Sequence, residues 1–199
     1  MIVFNEERHE YTNNGKVVPH VTGVLSMLTD FSKVPPSELE IARLKGVAVH
    51  KLVEADAKGT LTEVPDWLIP VYDRWLDIKK QCGLEIIASE QRVFHPQYNY
   101  AGTLDLIVKA HNMKVKGRGI IDIKRSFCAG IAIPLQTSAY AAATNAINNS
   151  LPDRIQWRAA LRLREDGAPR FEFYHNQGGD FANFLACLTI HKLKESQRD

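Results

Sequence analysis

Two apolar runs in this chain are each broken by one acid. In Gly102-Thr103-Leu104-Asp105-Leu106-Ile107-Val108 the interruption is Asp105, and in Gly119-Ile120-Ile121-Asp122-Ile123-Lys124 it is Asp122. Short runs of this kind, rich in β-branched residues, read as strands buried in a sheet. A carboxylate inside such a strand is costly unless it is paired or bound to a metal. Whatever fold the chain adopts must therefore bring partners to both acids. In a strand, residues i and i+2 point to the same side. Asp122 and Lys124 therefore project together, while Ile121 and Ile123 face the other way. If the two strands are neighbours, Asp105 and Asp122 converge with Lys124 close by.

The remaining pattern supplies a frame for these strands. The first 18 residues read as a small β-unit, with IVFN and KVVPH flanking the turn signal Asn13-Asn14-Gly15. A short helix follows in VTGVLSML. A longer one is predicted from Ser37 to Lys58 with Gly59 as its stop, and another from Pro65-Asp66 to Cys82 before Gly83. Trp67, Ile69, Val71, Trp75 and Ile78 form the apolar face of that helix. Strands are predicted at Leu84–His95, Tyr100–Lys109 and 119–124. An Ala-rich helix then runs from near Pro134 to Asn149. Residues 154–164 alternate, with Ile155, Trp157, Ala159, Leu161 and Leu163 on one face. Asp166-Gly167 turns the chain into the hairpin partner PRFEFYH, and Gly178-Gly179 precedes a final amphipathic helix. This order predicts an α/β fold, one mixed sheet with helices packed on it.

With 199 residues, 45% of them hydrophobic, the chain buries about two-thirds of its unfolded surface as one domain and needs no disulfide or metal staple. Disorder is excluded as the main state by this apolar fraction and a net charge of +2. No stretch approaches the roughly 20 consecutive apolar residues of a membrane span, and the start lacks the pattern of a signal peptide. Cys82, Cys128 and Cys187 are far apart and form no CxxC pair. They read as small apolar residues of a reduced, cytoplasmic protein.

Two converging carboxylates suit Mg²⁺, which takes oxygen ligands and keeps several waters for a substrate phosphate to replace. Such a metal lowers the pKa of a bound water and offsets charge developing in an in-line phosphoryl displacement. A lysine alongside orients the water or neutralises that charge. The same spacing also fits a buried Asp–Lys ion pair with no catalytic role.

The surrounding residues bear on that choice. Gly102-Thr103-Leu104-Asp105, then Asp122-Ile123-Lys124, then Gln136-Thr137-Ser138-Ala139-Tyr140 match in order the GxxD, D/E-x-K and Q-x-x-x-Y elements of a known family. Upstream, Gly46-Val47-Ala48-Val49-His50 matches a helix whose histidine joins the metal site, and Glu90 stands on the strand before GxxD. In this the chain resembles the PD-(D/E)XK nuclease superfamily, and within it the RecB-type exonuclease branch. Its opening, FNEERHEY to VTGVL, looks like the amino terminus of phage-encoded members. No proline precedes Asp105, so the literal "PD" is absent. The cysteines that hold an iron–sulfur cluster in some relatives are also absent.

The resemblance implies a restriction-endonuclease-like core, a central mixed β-sheet flanked by helices, filling residues 1–199 as one nuclease domain with the β-unit at its start. It implies a metal-dependent DNA exonuclease acting on linear duplex or single-stranded ends in phage recombination or DNA processing. His50, Asp105, Asp122 and the carbonyl of Ile123 would bind Mg²⁺, with Mn²⁺ as a substitute. Asp105, Asp122, Lys124 and Glu90 would carry the chemistry, and Gln136 and Tyr140 would position the strand. A single-strand annealing protein and an oligomeric assembly are compatible with such a role, and a phage-encoded member would act in the host cytoplasm. A structure-specific endonuclease, or a non-catalytic DNA-binding subunit of the same fold, are the alternatives. For several of these residues bland readings stand beside the functional ones: a satisfied helix histidine for His50, helix packing for Tyr140, a surface charge for Glu90.

Basic residues cluster in two places. Lys109, Lys114, Lys116 and Arg118 lie between the two acidic strands, and Arg158, Arg162 and Arg164 share the polar face of a strand. Either group suits phosphate contacts or a solvated surface; Lys114, Lys116 and Arg118 are the DNA-binding candidates. Trp67, Trp75 and Trp157 read as core. Tyr98 and Tyr100, flanking the turn before GxxD, are the better base-stacking candidates.

Overall fold

The acidic strands lie side by side in a five-stranded sheet. In the computed structural model, which describes residues 2–8, 10–125, 130–148 and 150–197, three short strands come first. They are β1 (Ile2–Asn5), β2 (Glu10–Asn13) and β3 (Lys16–Val18), an antiparallel sheet in that order. The turn at Asn14-Gly15 is as predicted, both residues having positive φ. The middle strand EYTN was not expected from the pattern. It is mostly polar, and of its residues Tyr11 alone is fully buried.

The main sheet comprises β4 (Leu84–His95), β5 (Tyr100–Ala110), β6 (Arg118–Lys124), β7 (Ile155–Arg162) and β8 (Arg170–Phe173), in the order β4-β5-β6-β7-β8. All neighbours are antiparallel except β6 and β7. A parallel pair requires a crossover, and the helix α4 (Ala132–Ile147) provides it. The sheet is covered on both sides. One apolar cluster joins it to α1 (Val21–Leu25), α4 and α5 (Gln177–Glu195) through residues such as Val24, Tyr100, Leu104, Ile120, Ala139 and Phe184. The other joins it to α2 (Pro36–Lys58) and α3 (Ile69–Cys82) through Val49, Val53, Trp75, Leu106, Ile121 and Leu161. The small sheet is tied to β5: Ala101 N–H donates to Pro19 O at 2.9 Å, and the Tyr11 and Thr103 hydroxyls lie 2.6 Å apart.

Helices α2 and α4 form within two residues of their expected bounds, whereas VTGVLSML is α-helical only over Val21–Leu25 before a 3₁₀ turn, and α3 starts at Ile69, after a 3₁₀ turn, rather than at Pro65-Asp66; α2 and α3 stop on the left-handed residues Gly59 and Gly83. Several expectations are corrected. Strand β7 is buried on both faces rather than half exposed, as expected for a strand paired in parallel and covered by helices on both sides. Arg158 therefore does not lie on a solvated face. It is 2% exposed, and its guanidinium donates to Pro134 O, Thr137 Oγ1 and Asp180. Trp67 sits in a 3₁₀ turn ahead of α3 and is 42% exposed, so it is not core, whereas Trp75 and Trp157 are. Gly178 and Gly179 lie within the first turn of α5, which Asn176 caps by accepting from Gly179 N–H. Cys187 is buried and Cys82 partly so, while Cys128 lies outside the described residues. Among the described residues no helix is long and apolar enough to cross a membrane.

Candidate metal centre and catalytic cleft

The register of the sheet sets the site. Ser89 pairs with Leu106 and Gln91 with Leu104, so Glu90 stands opposite Asp105. Leu106 pairs with Ile121, which carries Asp105 to the level of Asp122. Three carboxyls thus form a row across β4, β5 and β6. The regular alternation of β5 breaks at this level: Leu104 and Ile107 join one apolar cluster, Leu106 and Val108 the other. Glu90 itself has φ +48°, a left-handed conformation inside a strand. Such a residue costs about 1 kcal/mol or more, and this strain is typical of functional sites.

The helices add to the row from both sides. From α2, His50 Nδ1 stands 3.3 Å from Asp105 Oδ1. One ligand atom each from His50, Glu90 and Asp105 lie within 4.8 Å of one another. Asp105 Oδ2 also accepts from the Ile123 N–H at 2.6 Å. Asp122 is 1% exposed. Its Oδ1 accepts from Gln136 Nε2 at 3.0 Å, and its Oδ2 lies 2.8 Å from Lys124 Nζ, an ion pair whose alignment is poor for a hydrogen bond. From α4, Gln136 Nε2 also reaches the Tyr140 hydroxyl at 3.3 Å. Gly102 has its reason here. A Cβ on it would stand 2.6 Å from the Tyr140 ring, so only glycine lets that ring come this close to β5.

The electrostatics follow from this crowding. Burial pushes the Glu90 carboxyl up to about 7, with the Asp105 charge adding to the effect. Burial also works against ionisation of Asp105, yet His50, Lys124 and the Ile123 N–H together hold it below the usual carboxylate range. For Asp122 burial prevails over Lys124, and with the Asp105 charge alongside its carboxyl is raised. Burial disfavours charge on Lys124 and His50, but the neighbouring carboxylates outweigh it and raise both. Tyr140 is raised well above its ordinary value by burial and by the two aspartates. Three carboxyls thus share the site with one lysine and one imidazole. Its donors are hard carboxylate oxygens with one imidazole nitrogen, a set that suits a cation such as Mg²⁺ or Mn²⁺. The residues present fit a divalent ion.

Above the row lies a cleft of about 560 Å³, with His50, Glu90, Asp105, Lys124, Gln136 and Tyr140 in its lining. The sequence-predicted His50, Glu90, Asp105, Lys124, Gln136 and Tyr140 are thus brought together in one lining, while Asp122 and Ile123 lie buried behind it, in contact with Gln136, Lys124 and Asp105. Gln136 and Tyr140 spend their polar atoms on Asp122 and on each other, and Tyr140 is buried. Both side chains also line the cleft. Lys114, Lys116 and Arg118 do not line the cleft. They stand at the far end of the β5–β6 ladder, where Arg118 is ion-paired with Asp153 and Lys109 stands 3.9 Å from Glu85. Tyr100 is not a stacking platform: it is wholly buried and its hydroxyl donates to Ala139 O. Tyr98 packs against His95 and Phe181. Arg43 and Lys51, which also line the cleft, went unnoticed in the sequence. Their signal was helical spacing, since residues 43, 47, 50, 51 and 54 share one face of α2.

No family model matches the chain, and no curated protein matches it. Among solved structures, one similar in chain path is the crystal structure of an alkaline exonuclease (LHK-Exo) from Laribacter hongkongensis. It has 14% sequence identity and a TM-score of 0.37, over 90% of this chain and 94% of that one. Another is LHK-Exo in complex with dAMP, at 12% identity and a TM-score of 0.36, over 92% and 95% of the two chains. Likeness at this level identifies no shared activity.

Proposed function

We propose that this chain is a metal-dependent deoxyribonuclease that hydrolyses phosphodiester bonds, acting as an exonuclease on linear DNA. The observation that carries the reading is the row of Glu90, Asp105 and Asp122 across three adjacent strands, flanked by His50 and Lys124. A purely structural ion pair needs one acid for Lys124 and does not account for two further half-buried carboxyls at the same level of the sheet. His50, Glu90 and Asp105 would hold the ion, and Asp122 with the Ile123 carbonyl would complete its acidic side. The ion would supply a water of lowered pKa and positive charge against the pentacovalent phosphate. Lys124, kept protonated by Asp122 and Asp105, sets a second positive charge beside that phosphate. Gln136 holds the Asp122 carboxylate in orientation, and Tyr140 walls the cleft against water. Residues 1–199 work in this reading as one nuclease domain, as in the RecB-type branch that the motifs resemble, with phage recombination or DNA processing as the setting.

The test compares purified wild type with Asp122→Ala on linear duplex, single-stranded and covalently closed circular DNA, with Mg²⁺, Mn²⁺ or EDTA. Wild type should degrade linear DNA only with metal, and Asp122→Ala should lose roughly 10³-fold or more in rate. The reading fails if wild type degrades nothing, or if Asp122→Ala keeps full activity. Cutting of closed circles would replace the exonuclease with an endonuclease.

A further inference from the structure

The hollow above the acidic row does not end at Glu90. A second hollow, of about 760 Å³, adjoins it on the side of β1 and β2, and Tyr11, Val47, Lys51, Glu54, Glu90 and Thr103 line both. Beyond this shared wall the second hollow is bounded by Phe4, Glu6, Lys58 and Arg92. The two form one groove that crosses the His50–Glu90–Asp105 group. Cations stand on either side of the acids, Arg43 and Lys124 in the first arm, Lys58 and Arg92 in the second, with Lys51 between them.

Each hollow alone is the size of a site for one small molecule, so a groove of two arms exceeds what a single nucleotide needs. The cations of the second arm are loosely held. Lys58 pairs with Glu54 at 2.5 Å and Arg92 stands 4.0 Å from Glu6, and both cations are exposed. Exposed pairs of this kind are worth about 1 kcal/mol or less, so a phosphate displaces the glutamates at little cost. Arg92 also lies over the Phe4 ring, 5.3 Å from its centroid, which keeps the guanidinium extended along the groove wall.

We propose that this second arm, walled by Lys51, Lys58 and Arg92, binds the backbone phosphates of the nucleic-acid strand that continues beyond the bond under attack. This rests on the nuclease reading above and adds to it where the remainder of the strand lies while its terminal bond is cut.

The test uses the full chain with Lys58→Ala and Arg92→Ala combined, neither residue belonging to the catalytic group. Two substrates are compared in Mg²⁺: a short single-stranded oligonucleotide, and bis(p-nitrophenyl) phosphate, a diester too small to reach the second arm. For the oligonucleotide KM should rise roughly five- to tenfold with kcat unchanged, and the slope of log affinity against log salt should fall by about 1.4, two contacts at about 0.7 each. Hydrolysis of the small diester should stay at the wild-type rate, and Lys58→Arg with Arg92→Lys should restore the salt slope. The proposal is overturned if the double alanine variant keeps the wild-type KM and slope for the oligonucleotide, or if it loses activity equally on both substrates. If wild type cleaves neither substrate, the nuclease reading itself has failed, which is a separate result.

Discussion

Glu90 carries two costs at once, a left-handed backbone and a carboxyl held near pH 7 by burial and by Asp105. Both make sense in a site that is relaxed only by a cation. The consequence for stability has a definite sign. Between its unfolded value of 4.5 and about 7, Glu90 binds more protons in the native state than in the unfolded one. The metal-free protein therefore loses stability from this group as pH rises through that window, and does not regain it above. Glu90→Gln removes the effect. Its melting temperature without metal should exceed wild type at pH 8 by on the order of 2–4 °C and match it near pH 4, while its Mn²⁺ affinity falls roughly tenfold or more. Equal melting temperatures at pH 8 would show that neither burial nor the Asp105 charge holds the Glu90 carboxyl up. At this scale the sequence was highly legible. An acid in an apolar strand must have partners, and the i, i+2 rule paired Asp122 with Lys124 correctly. What it could not deliver was reach across elements. Nothing local says that Gln136 is spent on Asp122, or that Arg43 and Lys51 on α2 overlook the same cleft.

Among the elements, β7 shows why periodicity alone misleads. Alternation along 154–164 suggests a strand with one wet face, yet the parallel pairing to β6 and the helices on both sides bury all of it but Gln156 and part of Arg162. Arg158 is the price of that position, and its guanidinium ties the start of α4 to Asp180 in the first turn of α5. Arg158→Ala should cost about 3–5 kcal/mol, read as a lower urea midpoint, because it strands a largely buried Asp180. Adding Asp180→Asn should recover much of the loss. A double variant no more stable than Arg158→Ala would mean that the arginine acts through packing rather than charge. The helices themselves were legible because their stops are chemical, Gly59 and Gly83 in left-handed conformations. Strand β2 was not, since its polar residues carry no apolar alternation and Tyr11 is buried by tertiary contact with Thr103.

For the molecule as a whole, the question is what holds the two faces of the sheet in register over the site. One answer is Glu165, beyond the end of β7. It accepts from Arg125 at 2.6 Å and from Lys45 at 3.3 Å. Arg125 follows Lys124 on β6, and Lys45 precedes His50 on α2, so this carboxylate ties the helix that brings the imidazole to the strand that brings the lysine. Hydrogen bonding from Arg125 lowers its pKa to about 2. Its contribution is therefore complete above the unfolded value of 4.5 and lost as pH falls toward 2. Glu165→Gln should lower stability by about 1 kcal/mol or less at pH 7, with the difference from wild type shrinking as pH drops below 4.5, measured by urea unfolding. A difference independent of pH would assign the effect to packing. The near-balanced total charge of +2 was no guide to any of this, because the acids are gathered in one row and the cations stand around it.

The proposed ligands are unevenly distributed along the chain. Glu90, Asp105, Asp122, Lys124 and Gln136 come from consecutive elements, whereas His50 arrives alone from α2, across the mostly exposed connection 59–65. A backbone nick in that connection would leave neither fragment with a complete site, and only their reassociation would rebuild it. The chain thus contains a natural seam for dividing the proposed site into two inert halves.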